Sequence, residues 1–217
     1  MKALLSKAPG GPETLSLEEL PDPVAGKGQV LVAVKACSIN FPDVLIIEDK
    51  YQFKPARPFA PGSEISGVIE VVGEGVTGWA PGDRVLATTG HGGLATKLVI
   101  DASRLFRLPE GRSFEDGSAL LLTYATTIHA LLDRGRLIEG QTLLVLGAAG
   151  GVGLAAIEHG LRGIVGAAER HRLLTAEQFI PRASIELVDL RLFVENISPW
   201  LGDQGEAAPE CREVLRL

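Results

Sequence analysis

The sequence predicts two folds in succession, an all-β domain built as a small antiparallel barrel or sandwich and then the opening of a doubly wound α/β domain. Three observations support this prediction. Short β-rich segments alternate with Gly- and Pro-rich turns up to about residue 110, and apolar residues then recur at helical spacing. A glycine-rich turn next separates an apolar strand from an Ala- and Leu-rich helix, as in dinucleotide-binding folds.

The N-terminal domain is predicted over residues 1–117. Its strands are the segments 29–37 (QVLVAVKAC), 66–73 (SGVIEVVG), 84–87 (RVLA) and 94–100 (LATKLVI). Turn signals such as GKG, GEG and APGD fall between them. Short strands at this spacing are typical of small barrels and sandwiches.

The second domain is predicted over residues 118–217. It opens with a helix in which apolar residues recur every three or four positions: Leu120, Leu121, Tyr124, Ile128, Leu131 and Leu132. The segment QTLLVLGAAGGVGLAAIEHGL then reads as strand, turn and helix, and residues 164–168 (IVGAA) as a second parallel strand. Further on the pattern weakens to a possible strand in IELVDL and a possible short helix in RLFVENI.

Composition excludes several classes of function. The 217 residues are 46% hydrophobic and 22% charged, which is ordinary for a globular protein. A net charge of −6 gives no basic surface for nucleic acid or an anionic membrane. No hydrophobic segment follows the N-terminus, so we expect no signal peptide or anchor and a cytoplasmic location. The two cysteines, Cys37 and Cys211, predict incidental thiols rather than a disulfide scaffold or a metal site.

The glycine-rich turn is the motif with the most specific chemistry. A strand and a helix flank it, and the helix N-terminus offers free N–H groups and a partial positive charge to a pyrophosphate. The residues predicted to bind a dinucleotide there are Gly147, Ala149, Gly150, Gly151, Val152 and Gly153.

The choice of nucleotide depends on the residues after the second predicted strand. Glu169 there favours the ribose of NAD, whereas Arg170 and Arg172 favour the 2′-phosphate of NADP. A solvated helix start is the third interpretation of the same residues. The residues alone leave this choice open.

Five motifs in order carry a family resemblance: SINFPDV, FAPGSEISGVIEVVGEGV, APGDRV, TYATTIHALLDRGRL and LLVLGAAGGVGLAAIE. Together they resemble the quinone oxidoreductase branch of the medium-chain dehydrogenase/reductase superfamily, over residues 1 to about 158. The resemblance implies a GroES-like β-barrel catalytic domain followed by a Rossmann domain, with the active site in the cleft between them. It also implies NADPH as cofactor, with NADH possible, and a quinone or activated enone as substrate.

Zinc-dependent relatives in that superfamily hold a catalytic metal at three positions, which here carry Asn40, Ser63 and Thr123. None of these is a usual zinc ligand, and the four-cysteine loop that binds structural zinc is missing. We therefore expect a metal-free protein. Without a Lewis acid, the implied reaction is direct hydride transfer to an electron-poor acceptor.

By the same resemblance, Asn40 lines the active site, Tyr51 donates a hydrogen bond or proton, and Thr127 lies near the nicotinamide, which makes these three the expected catalytic residues. Each has a plainer interpretation: Asn40 caps a helix beginning at Phe41, Tyr51 is a surface-packed aromatic, and Thr127 bonds its own helix carbonyl. The acidic residues before Tyr51 replace a Gly that is usual in the family, so the acceptor is not predicted.

Family members continue well past the glycine turn, whereas residues 159–217 show no likeness to them. We expect an incomplete, truncated Rossmann domain that retains weak cofactor binding but largely loses hydride transfer. An unpaired sheet edge there would favour a homodimer or aggregation. The alternative is a non-catalytic binding module.

Overall fold

The computed structural model describes residues 1–138, 141, 143–145, 147–162 and 173–175. The chain divides into two compact units, and the division falls between Leu121 and Leu122. Strands predominate in the regular structure of the first unit, and the described part of the second alternates helices with strands. None of the described helices combines the length and the apolar character that crossing a membrane requires.

The strands of the first unit pair antiparallel throughout. Strands β3 to β7 form one sheet in the order β6-β3-β4-β5-β7, while β1 and β2 pair with each other. Their bounds are β1 Lys2–Leu5, β2 Ser16–Glu19, β3 Gln29–Ser38, β4 Glu64–Val72, β5 Arg84–Thr88, β6 Lys97–Asp101 and β7 Phe106–Arg107. The predicted antiparallel β domain is confirmed.

The main apolar core of this unit joins side chains from β3, β4, β5 and β6. Residues two or four apart on one strand face the same side, which is why alternate apolar residues meet in one cluster. Its buried members are Val30, Val32, Ile65, Ile69, Val85, Ala87, Ile100 and Leu105. Since full burial of one Val or Ile side chain stabilises by about 1.5–3 kcal/mol, this cluster holds the five-stranded sheet together.

Gly67 allows β3 and β4 to approach closely. A Cβ at this position would lie 2.3 Å from the carbonyl oxygen of Ala33 and 2.8 Å from a methyl of Val32. The register between the two strands shifts between Val34 and Ala36, beside this contact. The glycine in SGVIEVV is therefore a packing requirement of the sheet.

Two short helices complete the first unit. Helix α1, Phe41–Ile47, follows β3 directly, and its buried Ile46 and Ile47 pack with Phe59 in a second apolar cluster. Helix α2, Phe114–Ser118, begins after Ser113, whose hydroxyl oxygen accepts a hydrogen bond from the Asp116 N–H at 3.0 Å.

The second unit begins with helix α3, Leu121–Ile128, which continues as a π-helix over His129–Arg134. Then follow β8 Leu143–Val145, α4 Gly151–Arg162 and β9 Leu173–Thr175. Strands β8 and β9 pair in parallel, so this order is the strand–helix–strand unit that opens a doubly wound fold. A small core of Val145, Ala156 and Ile157 joins α4 to β8.

The predicted strands differ from the observed ones in detail. The segments predicted at 29–37, 66–73 and 84–87 overlap β3, β4 and β5, but the strand predicted over 94–100 begins three residues late, at Lys97. Strands β1, β2, β7 and β9 were not predicted. The strand predicted over 164–168, and the elements proposed in IELVDL and RLFVENI, lie outside the described residues.

Candidate functional site

In the first unit, Asn40 occupies the position before α1 and closes the first turn of that helix. Its N–H donates to Oδ2 of Asp43 at 2.8 Å, and the Asp43 N–H donates to the Asn40 carbonyl at 3.0 Å. An acidic residue also suits the positive end of a helix. The capping interpretation thus holds for Asn40, which forms a capping box with Asp43, while its Nδ2 has a different partner.

The side-chain amide of Asn40 is held by a chain of two hydrogen bonds. Nδ2 donates to Oγ of Ser38 at 2.9 Å, and the Ser38 hydroxyl donates to Oε2 of Glu64 at 3.1 Å. Ser38 ends β3 and Glu64 begins β4, and the two residues are directly paired. Glu64 is fully buried. Sequence analysis missed this pair; an acidic residue at the start of an otherwise apolar strand was the available signal.

Cys37 lies in the same polar region. Burial raises the pKa of its thiol to about 12, and the negative charges of Asp43 and Glu64 add to the effect. Within the described part of the chain, the buried Oδ1 of Asp43 and Oγ of Ser63 have no hydrogen-bond partner. Buried polar atoms of this kind are usually satisfied by ordered water or by a ligand. The region around Asn40 is therefore polar and tightly packed.

Tyr51 lies in the loop after α1, where its half-buried ring packs against the cluster of Ile46, Ile47 and Phe59. The acidic segment before it adopts a special conformation, since Asp49 has φ 60°, in the left-handed region. Glycine tolerates this region best, and aspartate is among the few other residues found there. The substitution of acidic residues for the family's glycine thus keeps a sharp turn before Tyr51.

His91 was not predicted to belong to any cluster, but it joins an aromatic group near this loop. Its ring stacks on Phe53 with centroids 5.9 Å apart and meets the edge of Phe59 at 5.8 Å. Burial and then the positive charge of Arg104 lower the pKa of His91 below its usual value of 6.5. The imidazole is therefore an uncharged aromatic surface at neutral pH.

The three positions that hold zinc in relatives carry Asn40, Ser63 and Thr123, of which the first two lie in the first unit and the third in α3. In the described part of the chain, no group of three His, Cys, Asp or Glu residues is placed to hold a metal ion. The metal-free expectation stays a prediction.

In the second unit, the glycine turn has the geometry of a phosphate cradle. Gly147 adopts φ 69°, and its carbonyl accepts from the Gly150 N–H at 3.0 Å. A Cβ on Gly153 would lie 2.3 Å from that carbonyl oxygen and 2.9 Å from Cα of Ala148. No other residue than glycine fits there without opening the turn.

The helix that follows the turn presents its N-terminal amides. The N–H of Leu154 donates to the Gly150 carbonyl at 2.8 Å, so the amides of Gly151, Val152 and Gly153 precede the regular helical bonds of α4. Five of the six residues predicted to bind a dinucleotide are exposed, and Gly153 is buried. Exposed backbone and a helix terminus together fit a pyrophosphate.

Thr127 is 1% exposed and lies in α3. The single proton of its hydroxyl is shared between the carbonyl of Thr123, at 2.8 Å, and that of Val152, at 3.2 Å. The first bond is the plain helical interpretation, and the second ties α3 to the start of α4. Thr127 thus contacts the predicted cofactor-binding residues through Val152.

A second link between α3 and α4 was missed by sequence analysis. The hydroxyl of Tyr124 donates to Oε2 of Glu158, a carboxyl that is 1% exposed. The apolar periodicity had assigned Tyr124 to a core face without indicating its polar partner. Glu169, Arg170 and Arg172, on which the nucleotide choice depends, lie outside the described residues.

Comparison with known proteins agrees with this arrangement. A model of the alcohol dehydrogenase GroES-like domain matches residues 26–110. The quinone oxidoreductase-like protein 2 homolog of Nematostella vectensis is 40% identical over 167 residues, covering 74% of this chain and 46% of that protein. The quinone oxidoreductase of Rattus norvegicus is 39% identical over 173 residues, 76% of this chain and 53% of that protein.

A solved structure extends the similarity to three dimensions. The quinone oxidoreductase from Thermus thermophilus, whose study includes its complex with NADPH, matches with a TM-score of 0.67 and 34% identity. The match covers 81% of this chain and 52% of that one. The chain spans about half the length of the curated relatives it matches.

A GroES-like β domain followed by a glycine-rich strand–helix–strand unit defines the medium-chain dehydrogenase/reductase architecture. Over about three quarters of its length the chain is similar to quinone oxidoreductases of that superfamily.

Proposed function

We propose that the protein reduces quinones or activated enones by direct hydride transfer from NADPH, without zinc. The observation that carries the proposal is the glycine turn at residues 147–153. It presents the free N-terminal amides of α4, and a side chain at Gly153 would collide with the turn. The similarity to quinone oxidoreductases supports a quinone or enone as substrate.

In the proposed cofactor site, three groups of residues have different roles. The backbone from Gly147 to Gly153 binds the pyrophosphate through N–H groups and the positive end of α4. Thr127 holds the first turn of α4 in place through the Val152 carbonyl. NADP is proposed over NAD because Arg170 is placed in the sequence to pair with a 2′-phosphate, and NADH remains the alternative.

A bound nicotinamide cofactor supplies a hydride, and the remaining tasks fall to the protein. The acceptor oxygen gains negative charge as it is reduced, so a positioned N–H or O–H group lowers the barrier. We propose the Asn40 amide for that hydrogen bond and the Tyr51 hydroxyl as the donor of a hydrogen bond or proton. Asn40 directly precedes α1, and Tyr51 lies in the loop that follows that helix.

Zinc independence rests on the donor set. An amide and two hydroxyls at Asn40, Ser63 and Thr123 supply none of the thiolate, imidazole or carboxylate ligands that zinc prefers. Quinones and enones accept hydride without carbonyl polarisation by a metal, whereas the oxidation of a simple alcohol benefits strongly from it. The proposed substrate class and the donor set are therefore consistent.

A non-catalytic binding module is the second candidate. It is favoured by one observation, that the exposed amides of the glycine turn can bind a pyrophosphate without any group that takes part in hydride transfer. The two candidates differ in a direct measurement, because both bind the cofactor but only the reductase consumes it in the presence of a quinone.

The test combines binding and turnover in two glycine variants. In Gly153→Ala the new methyl collides with the Gly147 carbonyl, so we expect NADPH binding, measured by its fluorescence, to be abolished. In Gly150→Ala the methyl lies 3.5 Å from that carbonyl, an ordinary contact, so the fold stays intact. Weakened binding in that variant, by about tenfold or more, indicates direct approach of a phosphate to the backbone.

The matched control is Gly26→Ala, where the new methyl meets only the end of the Gln29 side chain, at 3.2 Å. It should bind NADPH like the unchanged protein. Binding that survives Gly153→Ala would refute the assignment of the turn. Binding of NADPH without any oxidation of it by 1,4-naphthoquinone would favour the binding module.

A further inference from the structure

We propose that Ser38 and Glu64 are positioning residues that fix which way round the side-chain amide of Asn40 sits. The proposal rests on the proposed reductase function, in which Asn40 contacts the acceptor. It begins from the two hydrogen bonds that run from Asn40 Nδ2 to Ser38 Oγ, at 2.9 Å, and from Ser38 Oγ to Glu64 Oε2, at 3.1 Å.

The direction of the first bond follows from the second. A serine hydroxyl has one proton, and the hydroxyl of Ser38 gives it to the carboxyl of Glu64. The Ser38 oxygen can then only accept, so Asn40 must present its NH₂ group to it rather than its carbonyl oxygen. A carboxyl on β4 thus determines the orientation of an amide on the other side of Ser38.

The anchor of this chain is rigid. Glu64 is fully buried and begins β4, which lies between β3 and β5 in the sheet, where Glu64 is paired with Ser38 on one side and with Thr88 on the other. If a charged acceptor is removed from such a position, its hydrogen-bond donors lose their partner, which costs free energy. The carboxyl therefore holds Ser38 in one arrangement.

The fixed orientation determines what Asn40 can offer to a reactant. With one amide proton committed to Ser38 and Oδ1 facing the Asp43 N–H in the capping box of α1, the group that remains is one N–H. A flipped amide would direct Oδ1 at Ser38 and present both protons elsewhere. The arrangement leaves one N–H of Asn40 to donate a hydrogen bond, which suits an acceptor oxygen that gains negative charge.

The experiment asks whether Ser38 and Glu64 act through Asn40. NADPH-dependent reduction of 1,4-naphthoquinone is measured for Ser38→Ala and Glu64→Gln, each with Asn40 present and in the Asn40→Ala background. With Asn40 present, each substitution should lower kcat about tenfold, the cost of roughly one hydrogen bond, and leave the KM for NADPH unchanged. In the Asn40→Ala background neither should lower kcat further.

Two variants separate positioning from general stability. Ser38→Thr keeps the hydroxyl and should restore most of kcat. Ser66→Ala removes another buried serine of β4, whose hydroxyl donates to the Phe114 carbonyl, and should leave kcat unchanged. Losses in kcat that persist in the Asn40→Ala background would overturn the proposal.

A second measurement does not depend on activity. The Asn40 side-chain NH₂ signals, assigned by NMR with Asn40→Asp, should show one proton protected from solvent exchange. Ser38→Ala and Glu64→Gln should each increase its exchange about tenfold. Absence of turnover in the unchanged protein would count against the proposed function only, whereas equal exchange in all three proteins would overturn the positioning role.

Discussion

The Cys37 thiol is surrounded by groups that oppose its ionisation, and this predicts slow alkylation. Its pKa is raised from 9.0 to about 12, first by burial and then by the charge of Asp43. Only the thiolate reacts with iodoacetamide, so at pH 8 three pKa units correspond to about 10³-fold less reactive form. We expect Cys37 in a Cys211→Ser protein to react about 10³-fold more slowly when folded than in urea.

The comparison with the urea-unfolded chain is the control, since it has the same thiol without the burial. Mass spectrometry of the alkylated peptide gives both rates. Equal rates in the folded and unfolded states would show that burial does not raise the pKa of the Cys37 thiol.

The imidazole of His91 offers a second prediction at this scale. Its pKa is lowered first by burial and then by the positive charge of Arg104. Arg104→Gln removes the charge and leaves most of the burial, so the pKa should rise but stay below 6.5. An NMR titration of the His91 ring protons measures the change. Arg107→Gln, at a residue that contacts Trp79 instead, should not move it.

The lowered pKa of His91 also makes the stability of the fold depend on pH in a defined direction. Since the folded state releases the His91 proton more readily than the unfolded chain does, this residue's contribution to stability is present above about pH 6.5. It is lost as the pH falls through the folded-state pKa.

A rise in the His91 pKa with Arg107→Gln, or a fall with Arg104→Gln, would contradict the assigned causes.

At the residue scale, the motif indicated where the backbone needs glycine, but it could not indicate contacts between distant residues. A Cβ at Gly153 would collide with the Gly147 carbonyl, as the motif led us to expect, and the role of Gly153 in cofactor binding stays a prediction. Ser38 and Glu64 are 26 positions apart, and only the pairing of β3 with β4 brings them together. The roles of Asn40, Tyr51 and Thr127 remain predictions.

At the scale of elements, Arg57 holds the end of α1. Its guanidinium donates to the Ile47 carbonyl at 2.9 Å and to that of Ile46 at 3.4 Å, both at a helix C-terminus that favours positive charge. The same group bonds Ser6 and lies over the ring of Phe59. Arg57→Ala should therefore cost about 1–3 kcal/mol in the free energy of unfolding.

Urea denaturation measures this loss. Arg57→Lys should recover only part of it, because a single ammonium cannot contact both the carbonyls at the end of α1 and the Ser6 hydroxyl at once. Lys54→Ala, which removes an exposed ion pair with Asp49, is the matched control and should change stability little. Equal effects of Arg57→Ala and Lys54→Ala would show that the helix end does not depend on Arg57.

The sequence predicted a strand or helix well where its apolar residues stand out from polar flanking segments. Strands β3, β4 and β5 are rich in apolar residues, with frequent Val and Ile in β3 and β4, and the sequence located them. Strands β1 and β2 were missed because Ser16–Glu19 alternates in burial around two glutamates and a serine, and Lys2–Leu5 lacks β-branched residues. Pairing with each other, rather than propensity, makes them strands.

At the scale of the whole molecule, the division into two units predicts a localised response to cofactor. The glycine turn belongs to the second unit, while the large apolar core of Val30, Val32 and Ile65 belongs to the first. A ligand at about 100 times its dissociation constant stabilises the state that binds it by about 2.7 kcal/mol. NADPH should therefore slow hydrogen exchange in residues 143–158 much more than in β3 to β5.

Hydrogen–deuterium exchange with mass spectrometry resolves the two regions. The Gly153→Ala protein serves as the control, because it should show no slowing in either unit. Uniform slowing across β3 to β5 would contradict a response confined to the second unit. The self-association expected from an unpaired sheet edge remains a prediction, which sedimentation measures directly.

The position of β1 has a consequence for the order in which the protein is made. The Lys2 N–H donates to the Thr96 hydroxyl oxygen at 3.0 Å, the Thr96 N–H donates back to the Lys2 carbonyl at 2.8 Å, and the Leu4 N–H donates to the Leu94 carbonyl at 2.9 Å. Strand β1 thus leaves the ribosome well before Thr96, which follows Lys2 by 94 positions. During synthesis β1 must wait, undocked from these partners, until they emerge, so the first unit is complete only after residue 96 has left the ribosome.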